Sequence, residues 1–384
     1  MRSVAVVTAA RSDYGPLRPV LDALEREPAL EPLLVVAGAH LDGRLGGSLA
    51  EIEADGRAPA ARVETAEDDD SPLAAVRSSA RGVGGFGEAF ERLRPDLVLV
   101  LGDRFEIHAA ASAALPLRIP VAHLHGGESS EGAFDESLRH SVTKLSHLHF
   151  AATERYARRI VQMGEEPWRV IVSGAPGLDA ALRLDPLPLP ELEERVGLSL
   201  AEPTLLVTYH PPTLADAPLD ELEQLLAALE RRPEQLLFTA PNADPGGRAI
   251  LERVRGFVGG RAGARLVDSL GSRAYLTLLR HVAAMVGNSS SGIVEAASFE
   301  LPVVDVGTRQ QGRVRGANVI ECAGTAAEIE RALERALSPG LRASLAGLEN
   351  PYGDGRAAER IVGRLREVPL GRELLVKRFH EVSW

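Results

Sequence analysis

The feature that most constrains the fold of this chain is its regular alternation of short apolar runs with amphipathic helical patterns. Apolar runs rich in Val, Leu and Ala occur at residues 4–10, 96–101, 204–209 and 282–286. Such runs are typical of strands buried on both faces of a sheet. Strands that alternate with helices of this length predict βαβ units with parallel sheets, and therefore an α/β fold.

A proline-rich segment divides this pattern into two series. Residues 181–203 contain four prolines and show little periodicity, which is typical of a semi-rigid linker. A chain of 384 residues also exceeds one ordinary domain. We therefore predict an N-terminal Rossmann-like domain at 1–180, a C-terminal Rossmann-like domain at 204–368 and a tail at 369–384. The strand ends of the two domains are expected to face a common cleft.

Three local patterns predict the start of a helix, the character of a surface segment and the end of a strand. The first helix is expected to begin at Pro16, because proline is favoured at the first helical position. The acidic segment 40–71 is expected to be a solvated surface of loop with some helix. A second apolar run, at 119–122, is expected to end before His123.

Composition excludes several classes of function. The net charge is −11 and the isoelectric point is about 5.5, which argues against a nucleic-acid surface but leaves room for a local basic pocket. Cys322 is the only cysteine, which excludes intramolecular disulfides and suits a reducing cytosol. Neither a signal peptide nor a membrane span is expected, so the sequence predicts a cytoplasmic protein.

Chemistry-bearing side chains follow the apolar runs of the first half. Asp103 and Arg104 come directly after the run 96–101, and His125 and Glu128 follow the next run. In open parallel sheets, ligands bind outside the carboxyl ends of the strands. A solvated charge has no structural role at the end of a buried strand, so these four residues are candidates for function.

The helical pattern at 135–145 carries further polar residues. Asp135 and Arg139 are four residues apart and, without other context, are best explained as an ordinary surface pair. Glu106 is best explained as a first-turn charge that interacts with the helix dipole. The remaining histidines of this region are expected to be hydrogen-bonded or exposed rather than catalytic: His140, His147 and His149.

The second half also places polar residues after its strands. His210 follows the run 204–209, and Asn242 and Asp244 follow the run at 235–240. Residues 287–292 read GNSSSG after a predicted strand and precede a helical pattern. Small residues allow backbone N–H groups to turn toward an anion, although a simple helix cap also explains serines. No lysine follows, so this is not a Walker A loop, and diphosphate binding is favoured.

Taken together, the ordered motifs resemble a known family. They run from TAARSDYGPL at Thr8 through GDRFE, HLHGGE, FDESLRHSVTKLSHLHF, YHPPT, PNADPGG and GNSSSGIVEA to GTRQQGR at Gly307. This series resembles the hydrolysing UDP-N-acetylglucosamine 2-epimerases of bacterial sialic-acid and legionaminic-acid pathways. The resemblance implies the glycosyltransferase-B architecture, a UDP-sugar substrate, no metal or redox cofactor, and a homodimer or homotetramer.

The resemblance also implies the chemistry and the residues that carry it. UDP leaves by elimination across C1–C2, and the resulting 2-acetamidoglycal takes up water to give N-acetylmannosamine. Carried over by position, the catalytic candidates are Asp103, His125, Glu128, Asp135, Arg139 and His210. The candidates for binding UDP and its phosphates are Arg11, Asp13, Arg104, His210, Asn242, Asp244, Gly287, Asn288, Ser289, Ser290, Ser291, Glu295 and Arg309. Relatives outside the bacterial hydrolysing branch carry a carboxylate where this chain has His125, so the group that removes the C2 proton is left open.

Other functions share the architecture. A glycosyltransferase of this fold would release UDP only when an acceptor is present, and a nucleotide-sugar sensor would not turn over. Within the family, a non-hydrolysing epimerase returns UDP-N-acetylmannosamine. An enzyme for UDP-N,N'-diacetylbacillosamine hydrolyses a 4-acetamido-6-deoxy substrate, and the motifs do not separate it from the N-acetylglucosamine enzyme.

Overall fold

The computed structural model describes residues 1–43, 48–67, 71–131, 134–212, 218–241 and 246–382. The chain divides into two compact units. The first unit contains Met1–Glu128, Asp135–Ala180 and Tyr352–Trp384, and the second contains Ser129–Phe134 and Ala181–Pro351. The acidic run 68–70 and the site candidates Asn242 and Asp244 lie outside the described residues.

Strands and helices alternate along the described chain. The strands are β1 (Arg2–Thr8), β2 (Leu30–Ala37), β3 (Ala61–Val63), β4 (Leu97–Leu101), β5 (Val121–Leu124), β6 (Leu148–Ala151), β7 (Val170–Val172), β8 (Thr204–Thr208), β9 (Gln235–Thr239), β10 (Ala264–Val267), β11 (Ala284–Gly287), β12 (Val303–Val306) and β13 (Val319–Cys322). The helices are α1 (Arg11–Arg26), α2 (Leu49–Ala54), α3 (Pro72–Leu93), α4 (Phe105–Ala114), α5 (Asp135–Leu145), α6 (Glu154–Gln162), α7 (Pro176–Leu182), α8 (Leu189–Val196), α9 (Pro218–Glu230), α10 (Gly247–Gly259), α11 (Gly271–Leu278), α12 (Ser290–Val294), α13 (Ala326–Ala336), α14 (Pro339–Ser344), α15 (Ala357–Glu367) and α16 (Arg372–Leu375).

The first unit is built on a parallel sheet with the described order β3-β2-β1-β4-β5-β6-β7. Successive residues of a strand face opposite sides of a sheet. Accordingly Val4 and Val6 pack into a core that includes residues of α1 and α15, whereas Ala5 and Val7 pack into a core that includes residues of α3 and α4. The strand order reverses between β1 and β4, so the loops after these two strands diverge and leave room for a ligand.

The second unit repeats this plan. Its parallel sheet has the described order β10-β9-β8-β11-β12-β13, with Leu205 and Val207 of β8 in a core that also contains Leu225 of α9 and Ile329 of α13. Here the order reverses between β8 and β11. The predicted α/β class with two Rossmann-like halves is therefore confirmed, and each half has its own switch point.

Three local expectations were wrong. Helix α1 begins at Arg11 rather than Pro16, because the side chain of Asp13 accepts the N–H groups of Ala9 and Ala10 and satisfies the helix start earlier. The segment 40–71 contains the expected helix, α2, but also the edge strand β3, whose three residues are too few to show periodicity. His123 lies inside β5 rather than after it, and its buried ring is hydrogen-bonded on both nitrogens.

The ends of the units also differ from the predicted domain boundaries. Helix α8 lies within the segment expected to be a linker, and its Leu192 and Val196 are buried, so this part of the chain belongs to the second unit. The chain from Tyr352 onward belongs to the first unit, where α15 packs against α1. An amphipathic helix needs an apolar partner, and its sequence does not identify which sheet supplies it.

Candidate active site

The first cluster of site residues surrounds the start of α1. Oδ2 of Asp13 accepts hydrogen bonds from the backbone N–H groups of Ala9 and Ala10, both at 3.1 Å. Burial raises the pKa of Asp13 to about 6, and the nearby Arg104 partly opposes this rise. Arg11 is the exposed first residue of the same helix. The predicted pair Arg11 and Asp13 therefore lies at the switch point of the first sheet.

Arg104 connects this cluster to the loop after β4. Its Nε lies 3.2 Å from the carboxylate of Glu106, which is buried in the first turn of α4. Glu106 is therefore an ion-pair partner as well as a first-turn charge. Gly38 provides space beside this carboxylate, because a Cβ at that position would lie 2.8 Å from Oε1 of Glu106.

His40 is a buried neighbour that the sequence analysis did not single out. Its Nε2 is 2.8 Å from Oγ1 of Thr8 and its Nδ1 is 2.6 Å from Oγ of Ser48. Burial, and then the charge of Arg104, lower the pKa of His40 to about 4, so the ring is neutral at pH 7. The only sequence signal was its position shortly after an apolar run.

Asp103 and Arg139 form an ion pair in the first unit. Nη2 of Arg139 donates to Oδ2 of Asp103. The side chain of Arg139 is only 2% exposed, whereas that of Asp103 is 23% exposed. Nη1 of Arg139 also lies 3.5 Å from the carboxylate of Glu136. The expectation of a surface pair was therefore wrong for Arg139, which anchors a partly accessible carboxylate at the end of β4.

His125 and Glu128 form the second pair in this region. Nδ1 of His125 is 2.5 Å from Oε1 of Glu128, whose side chain is 2% exposed. His125 has a φ of 65°, a left-handed conformation that is uncommon for residues other than glycine and is often found at functional sites. Its Nε2 makes no hydrogen bond to any residue that the structure describes, and its side chain is 14% exposed. The carboxylate thus fixes the ring and leaves the second nitrogen available.

The buried side chain of His123 stabilises the loop after β4. Its Nε2 is 2.7 Å from the carbonyl oxygen of Gly102, and its Nδ1 is 3.2 Å from Oγ1 of Thr143. Burial lowers the pKa of His123 to about 3, so this ring is neutral. It connects the loop after β4 to helix α5, which carries Arg139.

The three other histidines of this region are hydrogen-bonded, as expected. His140, His147 and His149 are hydrogen-bonded to Glu136, to the backbone N–H of Val121 and to Glu165, respectively. Asp135 is the partly buried first residue of α5.

In the second unit, Asn288 joins the loops that follow three strands. Its Oδ1 accepts from the backbone N–H of His210 at 2.7 Å, and its Nδ2 donates to the carbonyl oxygen of His210 at 2.8 Å. Its own carbonyl oxygen accepts from Arg309 at 3.2 Å and from Gln310 at 2.8 Å. The side chain of Asn288 is therefore used to hold His210.

Gly287 makes this junction possible. It has a φ of 129°, and a Cβ at this position would lie 2.0 Å from the carbonyl oxygen of Thr208. Only glycine fits where two backbone segments approach so closely. After it, Ser289 accepts the N–H of Ser291 and caps α12, whereas Ser290 is exposed. The serines thus include both a helix cap, Ser289, and an exposed residue, Ser290.

Beyond these serines, the loop after β12 supplies basic residues. Glu295, a predicted site residue, is the C-cap of α12. Arg315, which the sequence analysis did not single out, lies 3.0 Å from Asp305. Burial raises the pKa of Asp305 to about 6, and Arg315 opposes that rise. Arg309 and Arg315 therefore lie in one loop with distinct partners.

Two features are absent from the described part of the chain. Within the ranges given above, no group of three or more His, Cys, Asp and Glu side chains is arranged to hold a metal ion. None of the described helices is long and apolar enough to cross a membrane.

Comparisons with known proteins identify the family of this chain. The sequence profile of the family described as UDP-N-acetylglucosamine 2-epimerase matches residues 22–366. The chain is 37% identical to the UDP-N,N'-diacetylbacillosamine 2-epimerase (hydrolyzing) of Legionella pneumophila, over 98% of this chain and 99% of the relative. It is 36% identical to the GDP/UDP-N,N'-diacetylbacillosamine 2-epimerase (hydrolyzing) of Campylobacter jejuni, over 83% and 84% of the two chains.

A solved structure shows the same fold. The UDP-GlcNAc 2-epimerase of Neisseria meningitidis bound to UDP-GlcNAc superposes with a TM-score of 0.81 at 19% identity, covering 95% of this chain and 99% of that one. The family match covers most of the chain, and the identities to the relatives extend over nearly all of it. This chain belongs to the UDP-N-acetylglucosamine 2-epimerase family.

Proposed function

We propose that this protein is a hydrolysing UDP-N-acetylglucosamine 2-epimerase that converts UDP-N-acetylglucosamine and water to N-acetylmannosamine and UDP. A base removes the proton from C2, the electron pair forms the C1=C2 double bond, and the C1–O bond to UDP breaks. Water then adds its hydroxyl to C1 and a proton returns to C2 from the opposite face. The product is a free sugar with inverted configuration at C2.

The observation that carries this proposal is the His125–Glu128 pair. Removal of a weakly acidic C–H proton requires a base that is held in one orientation. A buried carboxylate 2.5 Å from Nδ1 fixes the imidazole so that Nε2 faces away from Glu128. We assign proton removal at C2 to His125 and the orienting role to Glu128.

The Asp103–Arg139 pair supports the second half of the reaction. Hydration of the glycal requires an acid that can return a proton to C2. Asp103 is the more exposed partner of a pair whose arginine is buried, so it is positioned by Arg139 and remains accessible. Asp103, held as a carboxylate by Arg139, is proposed to orient the attacking water, Asp135 is the proposed acid, and His210 is proposed to contact the sugar.

A separate set of residues is proposed to bind the diphosphate. The start of α12 at Ser289 and Ser290 can present backbone N–H groups to an anion, and Arg309 lies in the loop beside it. Positive and N–H groups that stabilise the departing UDP lower the barrier to elimination. The proposed partners in the first unit are Arg11, Asp13 and Arg104, and those in the second unit also include Asn242, Asp244 and Glu295.

A second substrate is favoured by a specific observation. The two relatives at 37% and 36% identity are named for UDP- or GDP/UDP-N,N'-diacetylbacillosamine. The alternative proposal is therefore hydrolysis of UDP-N,N'-diacetylbacillosamine by the same chemistry. Both reactions would supply a 2-acetamido sugar to a sialic-acid or legionaminic-acid pathway. A cytoplasmic location, which a single cysteine suits, and a homodimeric or homotetrameric state are also part of the proposal.

The experiment is incubation with each UDP-sugar in D₂O, followed by identification of the released sugar by NMR. We expect UDP and a free 2-acetamido sugar without any acceptor, with deuterium at C2. The better substrate is identified by the higher kcat/KM. A product that lacks deuterium at C2 contradicts elimination, and UDP release only in the presence of an acceptor indicates a glycosyltransferase. Retention of activity in EDTA is expected as well.

A further inference from the structure

Helix α6 packs against the loop that carries His125 and Glu128. Gly127 lies within this loop at a φ of 73°, and a Cβ there would lie 2.5 Å from the backbone carbonyl oxygen of Tyr156 and 2.8 Å from the side chain of Ile160. Both of these α6 residues are buried. Only glycine allows the loop and the helix to approach so closely. The position of α6 therefore limits where the two site residues can lie.

The guanidinium of Arg159, on α6, binds the same loop. Its Nη1 donates to the carbonyl oxygen of Gly127 at 2.8 Å. Arg159 is partly buried and makes no ion pair with any carboxylate that the structure describes, so a surface ion pair does not account for it. Hydrogen bonds from charged donors are stronger than those between neutral groups. The carbonyl that Arg159 holds belongs to the residue directly before Glu128.

A second contact holds the start of the loop. The backbone N–H of His125 donates to the carbonyl oxygen of Phe150 in β6 at 3.1 Å. His125 has a φ of 65°, and a residue other than glycine keeps such a conformation only when its surroundings hold it. The loop is thus held at His125 by β6 and at Gly127 by α6.

Helix α6 is itself anchored in the first unit. Thr153 caps the helix by accepting the N–H of Tyr156. The hydroxyl of Tyr156 is 2.8 Å from that of Tyr352, and both side chains are fully buried. The guanidinium of Arg159 also lies over the ring of Tyr156, 5.8 Å from its centroid. Arg159 therefore extends from an element that packing and hydrogen bonds hold in place.

We propose that Arg159 is a positioning residue for proton removal at C2, because by holding the carbonyl of Gly127 it keeps Glu128 within hydrogen-bonding distance of His125. The inference rests on the proposed function, since it concerns the pair to which we assign that step. Arg159 acts through the loop and not on the substrate. A misplacement of about 1 Å can lower a rate by about a hundredfold even when the altered residue is far from the chemistry.

The first test is Arg159→Met, which removes the donor and keeps an unbranched side chain. We expect kcat to fall by about 10- to 100-fold, whereas KM and the affinity for UDP change by less than about threefold. With substrate deuterated at C2, the isotope effect on kcat should be at least as large as in the native enzyme, because proton removal is the step that is slowed. Arg159→Lys keeps a cationic donor and should recover part of the lost kcat. Arg158→Met is the matched control, because Arg158 is the exposed neighbour on the same helix, and it should retain native kinetics.

A double variant tests whether Arg159 acts through His125. Added to His125→Asn, Arg159→Met should lower kcat by no more than about twofold further, because both changes affect the same step. A full multiplicative loss would show that Arg159 acts elsewhere. An unchanged kcat in Arg159→Met, a loss confined to KM or UDP affinity, or an equal loss in Arg158→Met would also overturn the proposal.

NMR separates this inference from the proposed function. The imidazole signals of His125, assigned by their loss in His125→Asn, should shift in Arg159→Met and stay in place in Arg158→Met, with circular dichroism showing that both variants are folded. If the native protein releases no free sugar but these signals shift, the proposed function fails and the positioning by Arg159 stands. If the native protein is active but neither kcat nor these signals change in Arg159→Met, the inference fails and the proposed function stands.

Discussion

The carboxyl edges of the two sheets present different chemistry on the same framework. In the first unit, the residues after the strands form charged pairs, Asp103 with Arg139 and His125 with Glu128. In the second unit, they form a neutral junction in which Asn288 holds the backbone of His210 by two hydrogen bonds. The first edge therefore offers side chains that can move a proton, whereas the second offers backbone donors and small residues.

The two edges differ because proton transfer and anion binding require different groups. Proton transfer needs a titratable group whose orientation is fixed by a neighbour. Anion binding needs N–H groups that are already oriented, and glycine and serine allow the backbone to provide them. We expect substitutions at the first edge to lower turnover. Substitutions at the second edge should affect folding or UDP binding, or should lower turnover where they displace His210. The four predictions below test this division, from the largest expected effect to the smallest.

The largest effect is expected for His125→Asn. An amide of similar size cannot accept the C2 proton, so kcat should fall by about 10²–10⁴-fold. UDP affinity, measured by calorimetry, should stay within a few-fold, because the proposed diphosphate ligands are untouched. The exposed His281→Asn is the control and should retain native kinetics. A kcat for His125→Asn close to the native value would show that His125 does not remove the C2 proton.

A smaller effect, on stability, is expected for Gly287→Ala. The new Cβ would lie 2.0 Å from the carbonyl oxygen of Thr208, and alanine is strained at a φ of 129°. Overpacking and backbone strain together should cost roughly 2–4 kcal/mol in the free energy of unfolding. Gly256→Ala within α10, where a Cβ meets nothing within 4 Å, is the control and should be neutral or stabilising. Urea denaturation of both variants decides between these outcomes.

A third effect is expected for Asn288→Ala. This change leaves the buried backbone N–H and carbonyl groups of His210 without their side-chain partner, at a cost of about 1–3 kcal/mol. Turnover should fall while UDP affinity changes little, because Arg309 and Gln310 bind the backbone oxygen of Asn288 rather than its side chain. Asn288→Asp, which keeps the acceptor but loses the donor, should lie between native and Asn288→Ala. Equal losses in kcat and UDP affinity would instead indicate a general disturbance of the loop.

The smallest effect is expected for Ser290→Glu. Ser290 is exposed, so the variant should fold, but its carboxylate would lie beside the proposed phosphates. UDP affinity should weaken by about tenfold at low salt and by less at high salt, where the repulsion is screened. Ser290→Gln has the same size without the charge and should bind UDP nearly as well as the native chain. Unchanged UDP affinity in Ser290→Glu would separate this serine run from the diphosphate.

Much of the fold could be predicted because short apolar runs alternate regularly with amphipathic helical patterns. The predicted helix at 135–145 is α5, and the apolar runs of both halves correspond to strands of the two sheets. The failures occur where local patterns are short or ambiguous. Strand β3 has three residues, and Pro16 indicated a helix start that the capping contacts of Asp13 move to Arg11.

The ion-pair and hydrogen-bond partners of the site residues could not be predicted from residue spacing in the sequence. Arg139 was explained as a surface pair with Asp135 from their separation of four residues, yet it is buried and pairs with Asp103 on another element. His40 and Arg315 were missed because a single polar residue in a loop carries no pattern. Asn288 was predicted to bind the nucleotide, and only its contacts show that its side chain holds His210.

The sequence by itself determined the α/β class, the two parallel sheets, the strand ends that carry polar residues and the family. Each of these depends on local periodicity or on ordered motifs, which are readable along the chain. The tertiary structure decided that α15 packs on α1, that Glu128 orients His125, and that Arg159 binds the carbonyl oxygen of Gly127. Such pairings join elements that are remote in sequence. The distances between these elements are set by the packing on both faces of each sheet, and local sequence patterns do not encode them.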